Sequence, residues 1–391
     1  MKKTNLVWPI MLGFFVMGFG DIIGTVMNQV TQECAANADR IRFWMPIFAY
    51  VWFLVISIPT GVVAGRIGRR NTVLASLAIT ALALCVPLGA SAGRWWLYVV
   101  AFALIGVGNT VIQAALPALL SNVVASDLLT SRLSLGQFVK AICAAVTPVL
   151  FYLIAETLGS WKLVFPLYAA FTVVVAVCLA RAPIPDERRV ASSAGAPRAK
   201  ATSFASCLAL LKNPYVAAMT VGIFFSVGAD VGFSIAIPEY LKNVFRVDTN
   251  VAGMGPTVYF VAKTLAAFAG AVLFAKVSAA KCFPWFMGAG LLLTLAILVA
   301  PNAATFLACV FAVALLTANS FGMCMGLAMS RAPEKANEIS ALMVMAIVGG
   351  GVVSAAFAPA QRAFGPAGIV GVLALCLAYL FALGVVASVR K

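Results

Sequence analysis

The chain has 391 residues, of which 63% are hydrophobic and only 10% charged, and its mean hydropathy is +1.05. Water-soluble proteins carry about 25% charged residues, so the composition excludes a soluble protein and indicates a polytopic membrane protein. The net charge of +15 is not a nucleic-acid signal, because the basic residues lie in short loops between oily runs, where membrane proteins collect them on the cytoplasmic side.

A helix needs about 20 apolar residues to cross the hydrocarbon core. The first such run, roughly 7–30, follows MKKTNLVW. It is too long for a signal peptide and lacks a small-residue cleavage pattern, so it reads as an uncleaved span. An aspartate, Asp21, stands in its middle. Further runs follow at roughly 43–64, 72–91, 96–122, 133–155 and 163–181. The fourth holds Asn109 and Gln113, and the fifth holds Gln137 and Lys140. Residues 182–213 are polar and rich in Pro, Ser, Ala and basic residues, which predicts a flexible cytoplasmic linker. Six more runs follow, at roughly 214–238, 252–276, 282–300, 303–329, 339–361 and 366–388. They carry Asp230 on span 7, Lys263 and Thr264 on span 8, and Asn319 and Ser320 on span 10.

The expected fold is all-α: twelve transmembrane helices in two pseudo-symmetric six-helix bundles, 1–181 and 214–391. Span 1 reads FFVMGFGD and span 7 reads FFSVGAD. Two halves that echo each other weakly are what transporters built from repeats look like. With the N-terminus inside, the cytoplasmic segments hold 18 basic residues and the external ones 7, which predicts both termini in the cytoplasm. Pro59, Pro117 and Pro238 are expected to kink their spans. Trp8, Trp44, Trp95 and Trp96 fit an interfacial aromatic belt.

Histidine is absent, and the nine cysteines include no CxxC. This removes His-based zinc sites, Ser-His-Asp triads and histidine proton relays. With no GxSxG or HExxH either, an enzyme is not expected, nor is any cofactor or metal. Paired aspartates could hydrolyse peptides by sharing a proton, but each acid has a lysine candidate close to it in the topology.

The loop between spans 2 and 3 reads GVVAGRIGRR, with Gly61, Arg66, Gly68, Arg69 and Arg70. It resembles the conserved loop motif of the major facilitator superfamily, except that Gly65 stands where an acid is expected before the first arginine. Within that superfamily the chain is similar to the fucose/galactose/glucose–proton symporter group. The matching pieces are GVGNTVIQAALP (Gly106 to Pro117), RLSLGQ (Arg132 to Gln137), WKLVFPLY (Trp161 to Tyr168), VGADVG (Val227 to Gly232) and SALMVMAIVGGG (Ser340 to Gly351). The resemblance implies that spans 1, 4, 7 and 10 line a central cavity, with 2, 5, 8 and 11 beside them, and that the loop motif forms a cytoplasmic gate. The chain departs from the sugar members on span 4, where Ile112 and Gln113 replace a carboxylate region, and on span 5, where Lys140 replaces a neutral polar residue.

Four ionisable residues lie deep in spans: Asp21, Lys140, Asp230 and Lys263. An intramembrane charge costs about 2.5–3.5 kcal/mol on insertion scales, so it needs a cavity or a partner. At about 1.5 Å rise per residue, both aspartates fall near the midplane and Lys263 close to the depth of Asp230. Lys140 is nearer the cytoplasmic side. Asp21 and Asp230 are the candidates for proton coupling. Lys140, Lys263, Gln113, Asn109, Asn319 and Gln137 are the candidates for holding solute. The competing reading is that the acids only pin helices through the lysines. The expected function is secondary active transport of a small polar solute by alternating access, coupled to protons. The two lysines tip the solute toward a small organic anion or sugar acid; a neutral sugar comes next, then a metabolite or drug exporter. The expected setting is a bacterial inner membrane. The expected partners are the solute, protons and lipid, and the expected state is a monomer.

Overall fold

The computed structural model describes residues 4–20, 26, 29–30, 33–184, 204–247, 252 and 255–389. No strand occurs among them. The first-half helices are α1 (Thr4–Met17), α2 (Ala38–Val55), α3 (Ser57–Ile67), α4 (Arg69–Cys85), α5 (Trp96–Ser121), α6 (Leu129–Leu158) and α7 (Val164–Arg181). A short α8 (Phe204–Ala209) precedes the second half. There follow α9 (Pro214–Asn243), α10 (Gly255–Leu273), α11 (Ala279–Ala296), α12 (Ala303–Thr317), α13 (Ser320–Arg331), α14 (Ala336–Met345), α15 (Gly349–Ala355), α16 (Phe357–Phe364) and α17 (Pro366–Val389).

Among the described residues, nine helical segments are long and apolar enough to cross a membrane, and the bent pair Ile47–Val55 and Ser57–Ile67 makes a tenth. The shorter Val7–Gly20 helix and α6 lie where spans 1 and 5 are expected. Apolar side chains on the outer faces suit lipid rather than water: Leu82, Leu292 and Leu375 are 69–72% exposed.

The 57° bend between α2 and α3 has an identifiable cause. Pro59 has no N–H, and its ring clashes with the carbonyl four residues back, that of Val55, so α2 ends there. Ile56 links the two helices, its N–H donating to the Trp52 carbonyl (2.9 Å) while its own carbonyl accepts from Thr60 N (2.8 Å). Pro117 and Pro238 lie inside the helical α5 and α9.

The chain forms two compact units. Unit 1 comprises 1–125, 139–210 and 334–345; unit 2 comprises 126–138, 211–333 and 346–391. Each therefore takes in one segment from the other half of the sequence.

In unit 1, α5 is the central helix, packed by α1, α2 and α4, with α7 against α4. Phe14, Val73, Leu77, Tyr98, Phe102 and Leu116 are fully buried there. The borrowed helix α14 packs on α3 and α5, and Ser340 Oγ donates to the Ala114 carbonyl at 2.6 Å. In unit 2, α17 packs against both α9 and α11, and α15 lies against α9. The glycine run that ends SALMVMAIVGGG explains that last contact. A Cβ on Gly349 would stand 2.2 Å from the Phe224 carbonyl oxygen, so only glycine permits this backbone approach. The borrowed start of α6 is tied to α10 by Ser131 Oγ donating to the Ala271 carbonyl at 2.6 Å.

Candidate functional site

Unit 2 holds the charged site. Asp230 on α9 shares its carboxylate between two donors from α10. Lys263 Nζ lies 2.7 Å from Oδ2, and Tyr259 Oη donates to Oδ1 at 2.7 Å. Tyr259 and Lys263 are four residues apart, so one face of α10 presents both. Tyr259 is fully buried and stacked on Phe233 with ring centroids 5.3 Å apart, which fixes its hydroxyl. The ion pair itself stays in reach of solvent: 28% of the Asp230 side chain and 23% of the Lys263 side chain are exposed. A buried neutral anchor thus holds a carboxylate whose charged partner is within reach of solvent.

The site continues toward Ala318–Asn319, where α12 gives way to α13. Asn319 Nδ2 donates to the Ala266 carbonyl, one turn beyond Lys263, at 2.8 Å. Its Oδ1 is buried and has no partner among the described residues. Gly270 makes room for this amide, since a Cβ there would meet it at 2.5 Å. Ser226 and Ser320 hydroxyls share a hydrogen bond of 2.6 Å beside it.

The other expected site residues fall as follows. Asn109 and Gln113 are buried in α5, at 7% and 6% exposure. Asn109 packs against Gly20, and its Oδ1 is likewise unpartnered among the described residues. Lys140 is half-buried on α6 in unit 1, its backbone carbonyl against Gly18. Gln137 is half-buried in the part of α6 that belongs to unit 2. Asp21 lies outside the described residues.

The loop motif of unit 1 is fully placed. Gly68, at φ +91°, makes the turn between α3 and α4 in a conformation that suits glycine. Gly61 sits against α14, where a Cβ would stand 2.6 Å from the Ala341 Cβ. Arg69 is 7% exposed; it donates through Nε to Asn337 Oδ1 (2.7 Å) and through Nη1 to the Ala118 carbonyl (2.8 Å), and also to Asn122. Arg70 caps the end of α7, donating to the Leu179 carbonyl (3.2 Å) and to that of Ala180. Arg66 is exposed. Asn337 and Tyr259 are partners that the sequence alone did not single out; the four-residue spacing of Tyr259 from Lys263 was the one available signal.

A second acid–lysine–tyrosine group occurs in unit 1. Glu33 accepts from Lys162 Nζ at 2.7 Å and from Tyr98 Oη at 3.0 Å. Lys162 also donates to the Ala90 carbonyl at 2.9 Å, so three connecting segments are tied at one point.

A family profile described as the Major Facilitator Superfamily matches residues 10–359. The chain belongs to this superfamily. By family it is a membrane transporter and not an enzyme. Among solved structures, it is similar to a variant of the Escherichia coli fucose:proton symporter FucP, with a TM-score of 0.84 at 18% identity, covering 99% of this chain and 100% of that one. It is also similar to the proton:xylose symporter XylE, with a TM-score of 0.69 at 14% identity, covering 99% and 94%. A bacterial homologue of the iron transporter ferroportin gives a TM-score of 0.78 at 12% identity, covering 99% of each chain. No curated protein matches the sequence significantly.

Proposed function

We propose that this protein is a proton-coupled secondary transporter of a small polar solute, and that Asp230 is a coupling carboxylate. The observation that carries the reading is the partly exposed Asp230–Lys263 pair anchored by Tyr259. A protonated Asp230 would release Lys263, so proton binding and the charge state of the site change together. Lys263 is already held by an acid, which moves the balance toward a neutral, sugar-like solute and away from an anion. The resemblance to sugar–proton symporters, proteins of the same fold, agrees with that choice. An inner-membrane location with cytoplasmic termini, and a gate formed by Gly61 and Arg69 with α14, belong to the same reading.

The experiment is a thermal-shift screen of detergent-purified protein with neutral sugars, sugar acids and small carboxylates, followed by uptake into proteoliposomes with an imposed pH gradient. A ligand at about 100 times its Kd stabilises by about 2.7 kcal/mol, enough to move the melt visibly. Neutral sugars should shift the melt and acids should not. Asp230→Asn should abolish uphill uptake and keep solute exchange. A shift by acids alone would reverse the solute assignment, and uphill uptake surviving in Asp230→Asn would remove Asp230 from coupling.

A further inference from the structure

Between α4 and α7 runs an open groove of about 330 Å³, lined by Leu74, Leu77, Ala78, Val173, Val177 and Ala180 among others. Alanine on both walls creates the concavity, with the buried Leu77 in its lining. Positions 70, 74, 77 and 78 recur at helical spacing, so Arg70 stands on the same stripe of α4 as the groove. On α7, Arg181 directly follows the lining residue Ala180. Arg70 reaches across to the Leu179 and Ala180 carbonyls, which places both arginines at one end of the groove. Neither forms an ion pair with a carboxylate among the described residues.

We propose that this groove binds one anionic glycerophospholipid, its acyl chain along the α4–α7 walls and its phosphate at Arg181 and Arg70. An acyl chain matches a wholly aliphatic lining on membrane-spanning helices. Two cations at the end of that lining select an anionic headgroup over a zwitterionic one, as basic pockets between transmembrane helices do.

The test is native mass spectrometry of the full chain, titrated in detergent with phosphatidylglycerol or with phosphatidylcholine of the same acyl chains. Phosphatidylglycerol should give a retained one-to-one adduct and phosphatidylcholine should not. Arg181→Gln, at an exposed position, should weaken the adduct about fivefold, the scale of one basic residue at a charged surface. Ala78→Phe should fill the groove and remove the adduct. Val174→Phe, on the exposed flank outside the lining, should leave it intact and controls for general damage. Equal binding of the two lipids would overturn the proposal. So would an adduct indifferent to Arg181→Gln or to Ala78→Phe, or one lost with Val174→Phe. A dimer mass in place of the adduct would make the groove a contact between copies and overturn it as well.

Discussion

Asp230 gives one oxygen to a cation and the other to a neutral hydroxyl, and its substitutions have separable consequences. Asp230→Asn strands the Lys263 charge. Breaking a fully buried pair costs 3–5 kcal/mol; with about a quarter of each side chain exposed, a loss of about 1–3 kcal/mol is expected. Lys263→Met should cost a similar amount by taking the cation away from the carboxylate. The double variant should recover most of that loss, because it leaves no unpaired charge. Melts of the four proteins form a double-mutant cycle, and a coupling energy near zero would mean that the pair does not stabilise the fold. Tyr259→Phe should cost about 1.5–3 kcal/mol, the range for a hydrogen bond to a charged group. At this scale the sequence was informative about charge, since an aspartate and a lysine inside apolar runs announce themselves. On Tyr259 it offered only the four-residue spacing from Lys263, because tyrosine in a membrane chain is ordinarily an interfacial anchor. It marked Asn319 as polar but could not show that its amide would be half used by the Ala266 carbonyl.

Among the elements, the junction of α3 with α14 is set by two residue choices. Gly61 permits the approach, and Arg69 holds Asn337 while reaching the Ala118 carbonyl of α5. The turn glycine was legible in GVVAGRIGRR. Its partner was not, because nothing local in ANEISALMVM says which helix it will meet. Gly65 stands where the motif's acid is expected, and Arg69 meets a neutral acceptor, Asn337. The short α8 packs over this junction against α3 and α14, and it buries Cys207 completely. Burial, with a smaller contribution from Glu338, pushes the Cys207 thiol up to about 11. Alkylation needs the thiolate. Labelling of Cys207 should therefore keep rising about tenfold per pH unit from pH 8 to pH 10 and level off near pH 11, whereas a free thiol levels off near its own pKa of about 8.5. Gly61→Val forces a side chain into Ala341 and should loosen α14 beneath α8. The expected result is faster Cys207 labelling at pH 8 and a levelling point shifted down toward 9. Peptide mapping by mass spectrometry separates Cys207 from the exposed Cys85 and Cys178. Unchanged labelling in Gly61→Val would show that the α3–α14 contact does not secure α8.

For the whole molecule, hydropathy alone gave the class and the approximate spans, because burying backbone polar groups in lipid leaves few solutions other than helices. The reciprocal exchange of segments was not legible. Residues 126–138 and 334–345 each sit within a run of sequence that reads as belonging to its own half. Their place in the other unit depends on contacts such as Ser131 with Ala271 and Ser340 with Ala114, which have no local signature. The exchange has a consequence for expression. If the chain is divided within the 185–203 segment, each fragment lacks one segment that completes the unit built from its own residues. The 1–190 fragment lacks α14 over Gly61 and Ala114, leaving Arg69 without its Asn337 acceptor. The 191–391 fragment lacks Ser131 over Ala271 and Thr130 over Gly326. Unmet buried partners cost about 1–3 kcal/mol each, a large share of the 5–15 kcal/mol that typically holds a protein folded. Each fragment expressed alone should accumulate several-fold less in membranes than when both are made together, and co-expressed fragments should co-purify and melt near the intact protein. Fragments that accumulate equally well alone would show that the borrowed helices add nothing to either unit.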